Sequence, residues 1–100
     1  MLDVRLSALA ARDLEEIDDF THDRFGVTQA LRLRARFESM LEQLATFPEM
    51  APLRPEYDPP GRRFRYCTVG SFLIVYRVRA DRLEVARILH GSRDMRHVEW

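Results

Sequence analysis

The sequence predicts an α+β fold, a helical hairpin packed on one face of a mainly antiparallel sheet. Three features carry this expectation: an alternating apolar–charged start, two long apolar stripes of helical period, and three β-rich runs parted by turn residues after position 62. The 100 residues form one domain, 1–100, by the usual size range, and the 46% hydrophobic fraction is enough to fill its core.

Leu2, Asp3, Val4, Arg5 and Leu6 alternate, as expected of a short strand with one buried face. Ser7 stops it and offers a hydroxyl to the open amides of a helix start. Ala10, Leu14, Ile17, Thr21 and Phe25 then recur at three-to-four spacing, with acids mainly elsewhere, so an amphipathic helix is predicted to end near Gly26. Thr28 is the predicted cap of a second helix. Its stripe is Ala30, Leu33, Phe37, Leu41 and Leu44, and Pro48 halts it. So short a link makes the two helices antiparallel neighbours. Residues 48–61 hold all five prolines and read as an ordered or semi-ordered crossing loop, since proline limits the entropy lost on folding.

From Arg62 the pattern turns to strand. RFRYCTV, FLIVYRVR and LEVARILH, parted by Gly70-Ser71 and Ala80-Asp81-Arg82, predict a three-stranded meander. Phe72, Ile74, Tyr76 and Val78 share one of its faces. Gly91 ends the last strand and leaves SRDMRHVEW as a short polar tail. The sheet face away from the helices is expected to be partly uncovered, which makes it a candidate partner surface.

Charge and chemistry narrow the function. The formal net charge is zero, which excludes a uniformly basic nucleic-acid coat. Residues 1–50 nevertheless carry 6 arginines against 10 acids, and residues 51–100 carry 10 arginines against 6 acids, with no lysine anywhere. Lone Cys67 forms no intrachain disulfide and reads as a small buried hydrophobe. His22, His90 and His97 lack ligand spacing, so no metal site and no cofactor is predicted. The glycines are scattered, which excludes a phosphate-cradling loop. No secretory or membrane-spanning apolar run is present, so a soluble, unexported, cytoplasmic protein is expected.

The element order, together with SALAARDLEEI, Phe47-Pro48, RRFRY, the YRV of the third strand and Leu89-His90-Gly91-Ser92-Arg93-Asp94, resembles the ParE branch of the RelE/ParE toxin superfamily. That resemblance implies a bacterial type II toxin held in a hetero-oligomer by a ParD-like antitoxin whose C-terminal segment wraps it. It also implies DNA gyrase as the target, with religation blocked so that breaks accumulate, and DNA contact only through the antitoxin or the gyrase complex. The RelE branch instead cleaves mRNA on the ribosome. Toxins of that branch typically carry an arginine where this chain has Leu73 and a tyrosine where it has Val98, so a binding toxin without catalytic residues is favoured. A RelE-like endoribonuclease using His90 and His97 as acid and base is the alternative. A family member that has lost its toxicity is a third reading.

The C-terminal arginines then read as a cationic surface for an acidic antitoxin or for the gyrase–DNA complex. Arg87, His90, Arg93 and Arg96 are the expected target-binding residues. Arg62, Arg65, Phe64 and Tyr66 are the expected antitoxin-binding ones, the aromatics, with Phe72, being either core or the lining of a groove for a docked helix. Trp100 reads as either a frayed end or an interface anchor.

Overall fold

A computed structural model describes residues 1–100. Its elements are β1 (Asp3–Leu6), α1 (Ala8–Phe25), α2 (Val27–Thr46), β2 (Arg65–Val69), β3 (Phe72–Arg79) and β4 (Arg82–His90), with single 3-10 turns at Pro55–Tyr57 and Met95–His97. The sheet order is β1-β4-β3-β2. The last three strands form the expected antiparallel meander, and β1 lies parallel to β4, Asp3 opposite Arg82 and Leu6 opposite Val85. The helices cover one face, burying Ala10, Leu14, Phe37 and Leu44 against Ile74, Tyr76, Leu83, Val85 and Ile88.

Ser7 joins strand to helix as its chemistry dictates. Its Oγ accepts from the Ala10 N–H at 3.0 Å and donates to the Ala86 carbonyl at 2.7 Å, while its own N–H donates to the Val85 carbonyl at 2.9 Å. That second contact lands on an irregularity in β4. Val75 pairs with Arg87 and Tyr76 with Val85, leaving Ala86 as one extra residue, a β-bulge. The bulge shifts the inward positions, so Val85 and Ile88 both reach the helix-side core although they are three positions apart, an odd spacing for one strand face.

The helix junction departs from the expected Thr28 cap. Gly26 alone ends α1, its N–H donating to the His22 carbonyl at 2.9 Å, and opens α2, its carbonyl accepting from the Ala30 N–H at 3.2 Å. Its φ of 88° and ψ of 173° are almost exclusive to glycine. A Cβ built there meets no atom within 4 Å, so the only penalty for a side chain is backbone strain. Gly26→Ala is therefore expected to lower stability by about 1–3 kcal/mol, read from urea unfolding. Phe25, placed in the sequence stripe, is 63% exposed because it sits at this junction, past the last turn that meets the sheet.

The second sheet face corrects the sequence expectation most. It is not left open: the tail and the segment entering β2 close over it, forming a smaller core of Phe64, Tyr66, Val75, Leu89 and Val98, flanked by Met95 and Trp100. Trp100 is neither frayed nor free. Its ring stacks on Phe64 with centroids 5.1 Å apart and planes 12° from parallel. The proline loop is ordered along β2. Tyr76 Oη donates to the Pro48 carbonyl at 2.7 Å, the Tyr66 N–H to the Pro52 carbonyl at 2.9 Å, and Arg65 Nη1 to the Ala51 carbonyl at 2.8 Å.

Candidate functional site

Two concavities mark the second face. The larger is a cleft of about 690 Å³ between the proline loop and the tail, with Leu73 in its lining and Tyr57, Asp58, Arg93, Arg96 and Trp100 around it. Asp58 organises one wall. Its Oδ1 accepts from Tyr66 Oη at 2.7 Å and from the Phe64 N–H at 3.2 Å, and burial together with this carboxylate pushes the Tyr66 phenol pKa up. On the tail side Asp94 takes the Arg96 guanidinium through both oxygens, at 3.1 and 3.0 Å, and bonds His97 Nδ1 at 3.1 Å. The Arg96 guanidinium and N–H hold the Asp94 carboxyl well below its usual range. The smaller concavity is a groove of about 250 Å³ flanked by Arg5, Arg62, Arg77 and Arg79 over Phe64 and Trp100.

The four residues expected to meet a target separate in space. Arg93 and Arg96 are exposed beside the cleft. His90 is exposed but turns toward the helix side. Its ring packs edge-on to Phe72 with centroids 5.5 Å apart, and its Nδ1 lies 2.7 Å from Ser92 Oγ. His97 has a separate partner in Asp94, so no bond joins the two histidines.

Arg87 is not available to a target. It is 5% exposed, with Nε and Nη2 donating to the two oxygens of Asp13 at 2.7 and 2.8 Å and Nη1 donating to the Glu99 carbonyl. Asp13 also accepts from the Ile88 N–H at 2.9 Å. The physical reason is the sheet edge: β1 pairs with β4 only as far as Val85, and Asp13 supplies an acceptor to the β4 backbone beyond it. Arg87 neutralises that buried carboxylate, which in turn raises the guanidinium pKa, and ties α1 to the tail.

The expected antitoxin residues also divide. Phe64 and Tyr66 are 2% and 1% exposed, because the tail and proline loop bury them, so neither lines an open groove. Arg65 is half-buried and holds the proline loop, and only Arg62 stands free. Cys67 is buried, which pushes its thiol pKa up and away from nucleophilic use.

Sequence reasoning missed Asp13 and Arg5. Asp13 lies three residues after Ala10 and four before Ile17 of the predicted stripe, and an acid at such spacing signals a buried partner. Arg5 reaches the groove only through the parallel β1–β4 pairing. The hairpin also carries exposed apolar side chains near its turn: Phe20, Phe25, Val27 and Leu31 are 57–66% exposed, and of these only Phe25 falls in a predicted stripe.

The family model for "ParE toxin of type II toxin-antitoxin system, parDE" matches residues 4–95. This chain belongs to the ParE toxin family. It is 34% identical to toxin ParE1 of Caulobacter vibrioides over 92 residues, 92% of each chain. It is 33% identical to toxin ParE1 of Mycobacterium tuberculosis over 91 residues, 90% of each. Among solved structures it resembles a chain of the chromosomal ParDE system from P. aeruginosa, with TM-score 0.73 and 24% identity over 90% of this chain and 96% of that one. A copper-bound mutant toxin from Helicobacter pylori has TM-score 0.59 and 20% identity over 92% and 97%. Both likenesses speak to the fold of this ParE family member: two helices on a four-stranded mixed sheet. Neither helix is long and apolar enough to cross a membrane.

Proposed function

We propose that this ParE family member is a toxin neutralised by a ParD-like antitoxin, and that it inhibits DNA gyrase by binding, without breaking bonds itself. The observation that carries the non-enzymatic part is the lining of the cleft. Leu73 stands where the RelE pattern has an arginine, and Val98, at the tyrosine position, is buried in the second core. In-line attack by a ribose hydroxyl needs a base, a phosphorane-stabilising cation and an acid; of the two arginines in the lining Arg96 is already paired with Asp94, and Glu56 and Asp58 would oppose the scissile phosphate. The exposed Phe20, Phe25, Val27 and Leu31 support an antitoxin helix on the hairpin, since several large apolar side chains left in water near one turn of a small protein favour a protein partner. Arg93 and Arg96 remain the groups offered to the target.

A purified system separates the readings. With gyrase, ATP and supercoiled plasmid, the toxin is expected to accumulate linear DNA, and a ParD-like antitoxin to abolish the effect. In a reconstituted translation reaction the message is expected to stay intact. Truncation of mRNA at ribosomal A sites would establish the nuclease reading, and inactivity in both assays would identify a toxin without activity.

A further inference from the structure

The groove on the second sheet face is the largest charged feature that neither the fold nor the proposed function absorbs. Its four arginines come from three places in the chain: Arg5 on β1, Arg62 before β2, and Arg77 and Arg79 on β3. Glu84, paired with Arg77 at 3.1 Å, is the only acid in its lining, and Arg5 is held by Asp3 at 2.8 Å. Arg62 and Arg79 are exposed and make no side-chain hydrogen bond or ion pair, so two guanidiniums face solvent uncompensated. Beneath them is an aromatic stack. The Arg77 guanidinium lies 5.6 Å from the Phe64 ring centroid, and Phe64 stacks on half-buried Trp100. Trp100 lines the groove and the cleft alike.

We propose that this groove binds single-stranded nucleic acid, with Arg62 and Arg79 on successive phosphates and Trp100 as the stacking surface for one base. Fixed cations along a channel beside an aromatic platform are the combination that sequence-tolerant single-strand binding uses. Arg65 pairs with Tyr76, so Arg62 and Arg79 each lie three residues beyond that pair on neighbouring segments, which brings the two free guanidiniums to one groove. An acidic peptide would engage the same arginines but would draw nothing particular from the indole, and planar guanidiniums suit phosphate through paired N–H donors. The track is short. Past Trp100 it enters the cleft, where Asp94 and Arg96 pair with each other, Arg93 is the one remaining cation, and Glu56 and Asp58 oppose a polyanion. Such contact is direct, unlike the expectation of DNA reached only through a partner, and it does not rest on gyrase being the target.

The test is fluorescence anisotropy of the whole chain with labelled oligo-dT and oligo-U, and with a labelled poly-glutamate peptide. Binding of either oligonucleotide at about 50 mM salt is expected, with a Kd on the order of 10 μM, and log K is expected to fall with log salt by about 0.7 per phosphate held. The arm that binds more tightly identifies the polymer. Arg62→Ala/Arg79→Ala is expected to flatten that slope by about 1.4. Trp100→Ala is expected to weaken binding roughly tenfold, with thermal unfolding followed in parallel because the indole also packs on Phe64. Equal or tighter binding of poly-glutamate would reassign the groove to an acidic peptide. Absence of oligonucleotide binding, or a salt slope unchanged in the double arginine variant, would overturn the proposal.

Discussion

Arg87→Ala is expected to lower the unfolding free energy by about 3–5 kcal/mol, because it strands the Asp13 carboxylate in a site only 7% exposed. A domain of this size has about 5–15 kcal/mol in total, so much of the variant would be unfolded under growth conditions and growth arrest would vanish for that reason. The pair and the single change separate structure from recognition. Asp13→Leu combined with Arg87→Met removes both charges at similar volume and is expected to recover most of the loss. It should not recover all, since the Ile88 N–H loses its acceptor and the Glu99 carbonyl its donor. Urea unfolding of the three proteins measures this directly. An Arg87→Ala protein that kept wild-type stability yet lost toxicity would return Arg87 to the target surface.

Arg93→Gln/Arg96→Gln is expected to have the opposite profile, with inhibition of the target weakened at least about tenfold while stability moves by no more than about 0.5 kcal/mol. Both side chains are exposed. Arg96 is tied only to Asp94, in an ion pair too solvated to contribute much to stability. If these groups steer association, the defect falls mainly on the association rate, and wild-type inhibition weakens as salt rises while the variant changes less. Inhibition by the variant at wild-type strength would move the target surface elsewhere, with the apolar hairpin end around Phe20 and Leu31 next in line.

Much of the architecture was legible because local chemistry and tertiary context agree there. Ser7 does cap α1, the stripe through Ala30, Phe37 and Leu44 is the buried side of α2, and FLIVYRVR is β3 from end to end. The candidate site was much less legible, and for specific reasons. LEVARILH looks like a simple alternating strand, but the extra residue Ala86 changes which side chains face inward, and Arg87 passes from apparent surface to buried edge. The only hint was the apolar spacing Leu83, Val85, Ile88, which breaks a two-residue period. Phe64 and Tyr66 were read as groove residues because nothing local reveals that SRDMRHVEW folds back, places Val98 in a core and stacks Trp100. The arginine groove depends on a parallel pairing between residues nearly eighty positions apart, and pairing of that range leaves no mark on composition or period.

The most direct test of inhibition by occupancy is its reversal. Gyrase and plasmid are first incubated with the toxin until linear DNA accumulates; the toxin is then stripped by high salt or by excess antitoxin before the enzyme is denatured. Binding without covalent chemistry predicts that the breaks reseal, that gyrase and toxin are recovered at unchanged mass, and that Arg93→Gln/Arg96→Gln produces few breaks at the outset. Breaks that persist after the toxin has left, or a covalent change on any component, would contradict it.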